Sequence, residues 1–196
     1  KERLRRAEPY FETIQIDVMD GTMVANRSFH DLSRIRKLRT SVNYELHLMV
    51  NEPLDYIQKW QNFNRLKRVI FHYEAVDREA IDRVISHAKG YGLQVGIAIN
   101  PGTSSRVLYR WLEAIDLVLV MGVNPGWSGQ EFQPGAYAKI RALRRHSSKI
   151  DIAVDGGVDD TRGSKLVSAG ANILNSASYL FGQKDLQEAK KKLLNA

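Results

Sequence analysis

Two aspartates stand where strands give way to turns. In Ile150-Asp151-Ile152-Ala153-Val154-Asp155-Gly156-Gly157-Val158, a β-branched run ends in a carboxylate and then two glycines. That pattern reads as the end of a buried strand and the start of a turn. Glycine lacks a side chain that would crowd a ligand, so a phosphate can rest on the backbone N–H groups of Gly156 and Gly157. In Ile14-Gln15-Ile16-Asp17-Val18-Met19-Asp20-Gly21, Asp17 is brought to a second strand end. Each aspartate alone reads first as a turn or helix-cap residue. As a pair at the carboxyl ends of different strands, they have the arrangement that proton transfer in a barrel mouth requires.

The elements that must hold this pair alternate along the chain. Strands are expected at Thr13–Met19, Tyr44–Val50, Arg68–Tyr73, Leu93–Ile99, Leu117–Val123, Ile150–Val154 and Asn172–Ala177. Helices are expected at Pro53–Asn62, Arg78–Tyr91, Ser104–Ala114, Gly135–His146, Thr161–Ala169 and Lys184–Leu194, after an opening helix that Pro9 ends. Apolar strand runs separated by helices predict a parallel sheet covered on its faces. The fold class is α/β, of the (β/α)8 TIM-barrel type. About seven strands are found where a closed barrel needs eight, so the first strand is expected to be absent from this chain. No linker or low-complexity tract divides residues 1–196, which predicts a single barrel domain, N-terminally incomplete.

Bulk properties narrow the classes. The 196 residues carry Lys+Arg 29 against Asp+Glu 22, a net charge of +7, with 43% hydrophobic residues and no cysteine. Disulfides and cysteine chemistry are thereby excluded, and the usage fits a reducing, cytoplasmic setting. The basic excess lies in Lys1–Arg6, Arg34–Arg39, Arg144-Arg145 and Lys190–Lys192, spread over several predicted helices. This distribution reads as solvated helix faces, with steering of an anionic substrate as the functional alternative. No nucleic-acid motif accompanies it, and no apolar run approaches the ~20 residues of a membrane span.

Six motifs in order make the chain resemble the ribulose-phosphate 3-epimerase family over nearly its whole length. They are Asp17-Val18-Met19-Asp20-Gly21, His47-Leu48-Met49-Val50, Phe71-His72-Tyr73-Glu74-Ala75, Asn100-Pro101-Gly102-Thr103, Val123-Asn124-Pro125-Gly126-Trp127-Ser128-Gly129-Gln130 and Val154-Asp155-Gly156-Gly157-Val158. The resemblance implies interconversion of ribulose 5-phosphate and xylulose 5-phosphate in the pentose phosphate pathway, with Asp17 and Asp155 as the two acid/base groups. A carbon acid beside a ketone is weaker than a carboxylic acid by roughly 15 pKa units, about 20 kcal/mol. Stabilisation of the enediolate is therefore required, and one divalent metal ion (Mn, Zn, Fe or Mg) would supply it.

By the same resemblance the metal ligands are Asp17, His47 and Asp155, with Gln15 where the family has a second histidine. A glutamine amide oxygen is a weaker, harder ligand that suits Mn or Mg better than Zn. Alternatively, Gln15 would only hydrogen-bond a metal-bound water. His47 by itself reads as a packed strand histidine, and His72 as structural. Met19, Met49 and Met121 would shield the planar intermediate from water, or simply fill the core. Phosphate contacts fall to Gly126, Trp127, Ser128 and Gly129, to Gly156 and Gly157, and to Ala177 and Ser178, where the family reads Gly-Ser before a short helix. Ala177, Asn175, Ala25 and Gly122 are further departures from the family pattern. The implied partners are a phosphorylated ketopentose and further copies of the chain in a homo-oligomer. Two alternatives are an allulose 6-phosphate 3-epimerase, with Trp127, Asn175 and Tyr179 reshaping the sugar pocket, and an inactive phosphate-binding barrel.

Overall fold

The computed structural model describes residues 1–127 and 129–195. The chain divides into two compact units, Lys1–Ile97 and Ala98–Ala196. In the first unit α1 (Glu2–Ala7) leads to β1 (Thr13–Met19), α2 (Leu32–Ile35), β2 (Asn43–Met49), α3 (Pro53–Trp60), β3 (Leu66–His72), a 3-10 turn (Tyr73–Ala75), α4 (Arg78–Gly90) and the start of β4 (Gln94–Ile99). The second unit takes the end of β4, a 3-10 helix (Ser105–Trp111), β5 (Leu117–Met121), α5 (Gly135–His146), β6 (Asp151–Asp155), α6 (Asp160–Ala169), β7 (Ile173–Asn175), α7 (Ser178–Gly182) and α8 (Leu186–Asn195). The strands follow chain order from β1 to β7 in the sheet. This is the (β/α)8 pattern with seven strands among the described residues, one fewer than a closed barrel holds. None of the described helices is long and apolar enough to cross a membrane.

Register decides which side chains meet. β1 pairs in parallel with β2, setting Asp17 beside His47 and Met19 beside Met49. β2 pairs in parallel with β3, setting Glu45 beside Arg68 and His47 beside Ile70. Side chains alternate across a strand, so Gln15, Asp17, Glu45, His47, Arg68 and His72 share one face. The other face carries Leu46, Leu48, Val69 and Phe71, all fully buried. Helices supply the apolar cover: Ile57 and Trp60 from α3, and Ile81, Val84 and Ala88 from α4, are buried at helical spacing.

In the second unit β5 pairs with β6, with Met121 beside Asp155, and β6 pairs with β7, with Asp155 beside Asn175. Asp159 caps α6 by accepting from the N–H groups of Thr161 and Arg162, each at 3.1 Å. Gly170, at φ +116°, ends that helix in the left-handed conformation. Gly163 lets α6 pass α8 closely, because a β-carbon there would strike the Leu193 carbonyl. The Arg144 guanidinium donates to the carbonyls of Gly170 (3.0 Å), Ser148 (2.9 Å) and Ile150 (2.9 Å), fastening α5 to the turn before β6 and the turn after α6.

β1 and α5 span the residues their patterns predict, and the other expected elements differ mainly at their ends. The segment expected as a helix over Ser104–Ala114 is instead a 3-10 helix. Its buried residues, Ser105, Leu108 and Trp111, recur every third position, which aligns them on one edge of a three-per-turn helix. β7 is shorter than the expected Asn172–Ala177. Asn172 spends its amide on the Ile152 N–H (2.7 Å) and the Asp151 carboxylate (2.7 Å) before the ladder begins.

Candidate active site

Asp17 and His47 meet because adjacent parallel strands are in register at those positions. Nδ1 of His47 lies 3.1 Å from Oδ1 of Asp17. The histidine is buried, whereas Asp17 keeps 47% of its side-chain surface accessible. Gln15, two residues back on the same face, donates its amide N–H to the same Oδ1 at 2.8 Å. Desolvation favours the neutral form of Asp17. The hydrogen bond with His47, together with that from the Gln15 amide, outweighs it and holds the carboxyl below its usual range.

On its far side His47 presents Nε2 to Nε2 of His72 at 2.8 Å, and the two rings stack with centroids 5.0 Å apart. Nδ1 of His72 faces Oε2 of Glu74 at 3.5 Å. The strand end is strapped by Ser28, whose hydroxyl donates to the Asp17 carbonyl (2.5 Å) and accepts from the Met19 N–H (2.9 Å). Beyond it, Asp20 accepts from the Thr22 hydroxyl (2.6 Å) and from Tyr56 (3.1 Å), and Thr22 accepts from the Asn51 N–H (3.0 Å). Burial and the adjacent Asp20 charge push the Tyr56 phenol up to about 12, so it stays a hydrogen-bond donor. These contacts fix the turn after β1 to the turn after β2.

Asp155 is the last residue of β6, and its carbonyl accepts from the Gly122 N–H at 2.7 Å. Gly156 and Gly157 follow with φ of +93° and +68°. A β-carbon at Gly156 would strike the Val123 side chain, and one at Gly157 would press on Phe132. Gly122 is equally committed, since a β-carbon there would meet the Gly156 carbonyl and the Phe132 ring. That packing explains why this chain carries glycine at 122. Gly156→Ala is expected to cost about 1–2 kcal/mol through its left-handed φ alone, with the Val123 overlap in addition. Thermal melting would register the loss.

Gln130 donates its amide to the carbonyls of Asn124 (2.7 Å) and Trp127 (2.8 Å), tying these two residues together. Gly126 and Gly129 have φ of +114° and +82°, Trp127 is 70% exposed, and Ser128 lies outside the described residues. Ala177 has φ −92° and ψ −53°, right-handed geometry open to any residue, so alanine there carries no backbone strain. Ser178 opens α7, and the neighbouring Ser176 hydroxyl donates to the Val158 carbonyl (2.7 Å), joining the turn after β7 to the turn after β6. Met49 and Met121 are buried and Met19 is half-buried.

The donors fit a divalent ion chemically. Asp17 and His47 offer a carboxylate and an imidazole, two of the donor types such an ion takes. Two atoms each about 2.1 Å from a common ion stand about 3.0–3.4 Å apart, and Asp17 Oδ1 and His47 Nδ1 are separated by 3.1 Å. Gln15 turns its N–H toward the Asp17 carboxylate and so orients it. Sequence reading missed Ser28, Ser176 and the His72–Glu74 contact. Their only signal was a hydroxyl or a charge near a strand end.

Comparison with known proteins matches these features. The model of the ribulose-phosphate 3 epimerase family covers residues 1–181. A ribulose-phosphate 3-epimerase of Aquifex aeolicus is 34% identical over 188 residues, covering 93% of this chain and 83% of that protein. The Chlamydia pneumoniae protein of the same name is 37% identical over 190 residues, covering 92% and 81%. Among solved structures, a mutant tryptophan synthase alpha-subunit from Pyrococcus furiosus superposes with a TM-score of 0.71 at 16% identity, covering 98% of this chain and 88% of that one. A thiamine phosphate pyrophosphorylase from the same organism gives 0.63 at 16% identity, covering 99% and 87%. The structural likenesses concern the fold alone; with the family model and the sequence relatives beside them, the chain belongs to the ribulose-phosphate 3-epimerase family.

Proposed function

We propose that the protein epimerises carbon 3 of D-ribulose 5-phosphate to give D-xylulose 5-phosphate. The observation that carries this reading is the contact of Asp17 with His47 at a strand end, in a chain of this family. In the proposed reaction one carboxylate, Asp17 or Asp155, removes the carbon-3 proton from one face. The other returns a proton to the opposite face of the planar enediolate. Run in reverse, the two exchange roles. By the family likeness, Asp17, His47 and Asp155 would hold a divalent cation, Mn, Zn, Fe or Mg. That cation supplies Lewis-acid stabilisation of the developing negative charge.

The remaining residues orient the substrate and keep it dry. Gln15 keeps Asp17 ionised and aimed. Met19, Met49 and Met121 would cover the planar intermediate with polarizable, apolar surface and exclude water. The phosphate would rest on the backbone N–H groups of Gly156 and Gly157, with Gly126, Trp127, Ser128 and Gly129 on one side and Ala177 and Ser178 on the other. We read 1–196 as one barrel domain of a cytoplasmic, homo-oligomeric enzyme of the pentose phosphate pathway. Purified protein supplied with Mn²⁺ is expected to turn over ribulose 5-phosphate with higher kcat/KM than allulose 6-phosphate. The reverse preference would assign the six-carbon substrate. Phosphate binding without turnover of either would leave a non-catalytic barrel.

A further inference from the structure

The two stacked imidazoles beside Asp17 include one, His72, that the proposed reaction does not use. His72 is fully buried, as is His47. Their Nε2 atoms are 2.8 Å apart, so one must carry a proton and the other a lone pair. The carboxylates on either side compete to decide which, and the closer contact, Asp17 at 3.1 Å against Glu74 at 3.5 Å, prevails. An ionised carboxylate only accepts, so in the absence of a cation Nδ1 of His47 carries the proton that faces Asp17 at 3.1 Å. In a neutral His47 ring, Nε2 then holds the lone pair and His72 donates to it from Nε2–H. A cation at Nδ1 of His47 takes the place of that proton. The ring then carries its proton on Nε2 and donates to His72, whose own proton must sit on Nδ1. Nδ1 of His72 faces Oε2 of Glu74 at 3.5 Å, an acceptor suited to that form.

We propose that His72, backed by Glu74, is a positioning residue for the metal ligand His47, and that cation binding reverses the hydrogen bond between the two rings. The inference rests on the proposed metal site and deepens it. The atoms balance. Two neutral rings hold two protons before, on Nδ1 of His47 and Nε2 of His72. They hold two after, on Nε2 of His47 and Nδ1 of His72. The proton between the rings crosses from one Nε2 to the other, one proton leaves Nδ1 of His47, and one arrives at Nδ1 of His72. No ring changes charge. The gain is a fixed tautomer with its lone pair aimed at the ion and a more basic ligand nitrogen.

Zinc is diamagnetic and permits a direct test in the native protein. Equilibrium dialysis first establishes whether one Zn²⁺ binds per chain. Long-range ¹H–¹⁵N spectra of histidine-labelled protein then report the tautomer of each ring, with His72 assigned from His72→Gln. The expected result is a switch of His72 from the Nε2–H to the Nδ1–H pattern as zinc is added. Bound zinc with His72 unchanged would overturn the inference while leaving the metal site standing. No bound zinc would overturn the metal site and this inference with it. Variants give a second readout. The amide oxygen of His72→Gln can still accept from His47 and should keep zinc affinity within about threefold, whereas His72→Phe should lose about 10–100-fold. Equal affinity in the two variants would also overturn the proposal.

Discussion

Asp17→Asn and Asp155→Asn should each lower kcat for ribulose 5-phosphate by about 10²–10⁴-fold while the chain remains folded. An amide has the shape of a carboxylate and its oxygen can still accept a hydrogen bond, so the packing around it survives. It cannot take a proton from carbon. The two variants should also differ in kind. A reaction with one base on each face loses inversion when either base is lost, but the surviving carboxylate can still exchange the proton on its own face. Asp155→Asn should therefore catalyse solvent exchange at carbon 3 of one epimer, and Asp17→Asn of the other. Nuclear magnetic resonance in deuterated water resolves this directly. Continued inversion in either variant would mean that the missing carboxylate is not an acid/base group.

Removing the divalent ion should be comparably severe. Deprotonation beside the ketone is about 20 kcal/mol uphill for a carboxylate base. A Lewis acid contributes several kcal/mol of charge stabilisation, which at 1.36 kcal/mol per tenfold is about 10³-fold or more. Exhaustive chelation is expected to reduce turnover by at least that factor, and Mn²⁺ or Zn²⁺ to restore it. Melting curves taken alongside separate loss of chemistry from loss of fold. Full activity in a chelated protein free of metal by elemental analysis would contradict the cation's role.

What could be read from the chain and what could not divide along physical lines. The extent of β1 and the strand-end positions of Asp17 and Asp155 follow from local signals, a β-branched run cut off by glycine. The meeting of Asp17 with His47 does not, because register between parallel strands is set through helices and turns far along the chain. There the family resemblance supplied what periodicity could not. That alanine fits at 177 without backbone strain follows from its negative φ, and sequence carries no φ. The 3-10 helix at Ser105–Trp111 was hidden because apolar residues three apart suit an α-helix as well. Ser28 and Ser176 bond to distant main-chain atoms, and such contacts leave no pattern in composition or spacing. Gln15 stood out as a departure from the family. Its role, a donor to the Asp17 carboxylate, emerges only from the 2.8 Å contact.

The most direct test of the two-carboxylate reaction is deuterium incorporation during a single turnover of the native, metal-replete protein in deuterated water. Each xylulose 5-phosphate formed is expected to carry one solvent-derived deuterium at carbon 3, because the group that removes hydrogen on one face is not the group that delivers it on the other. Product that keeps its original carbon-3 hydrogen would contradict the account.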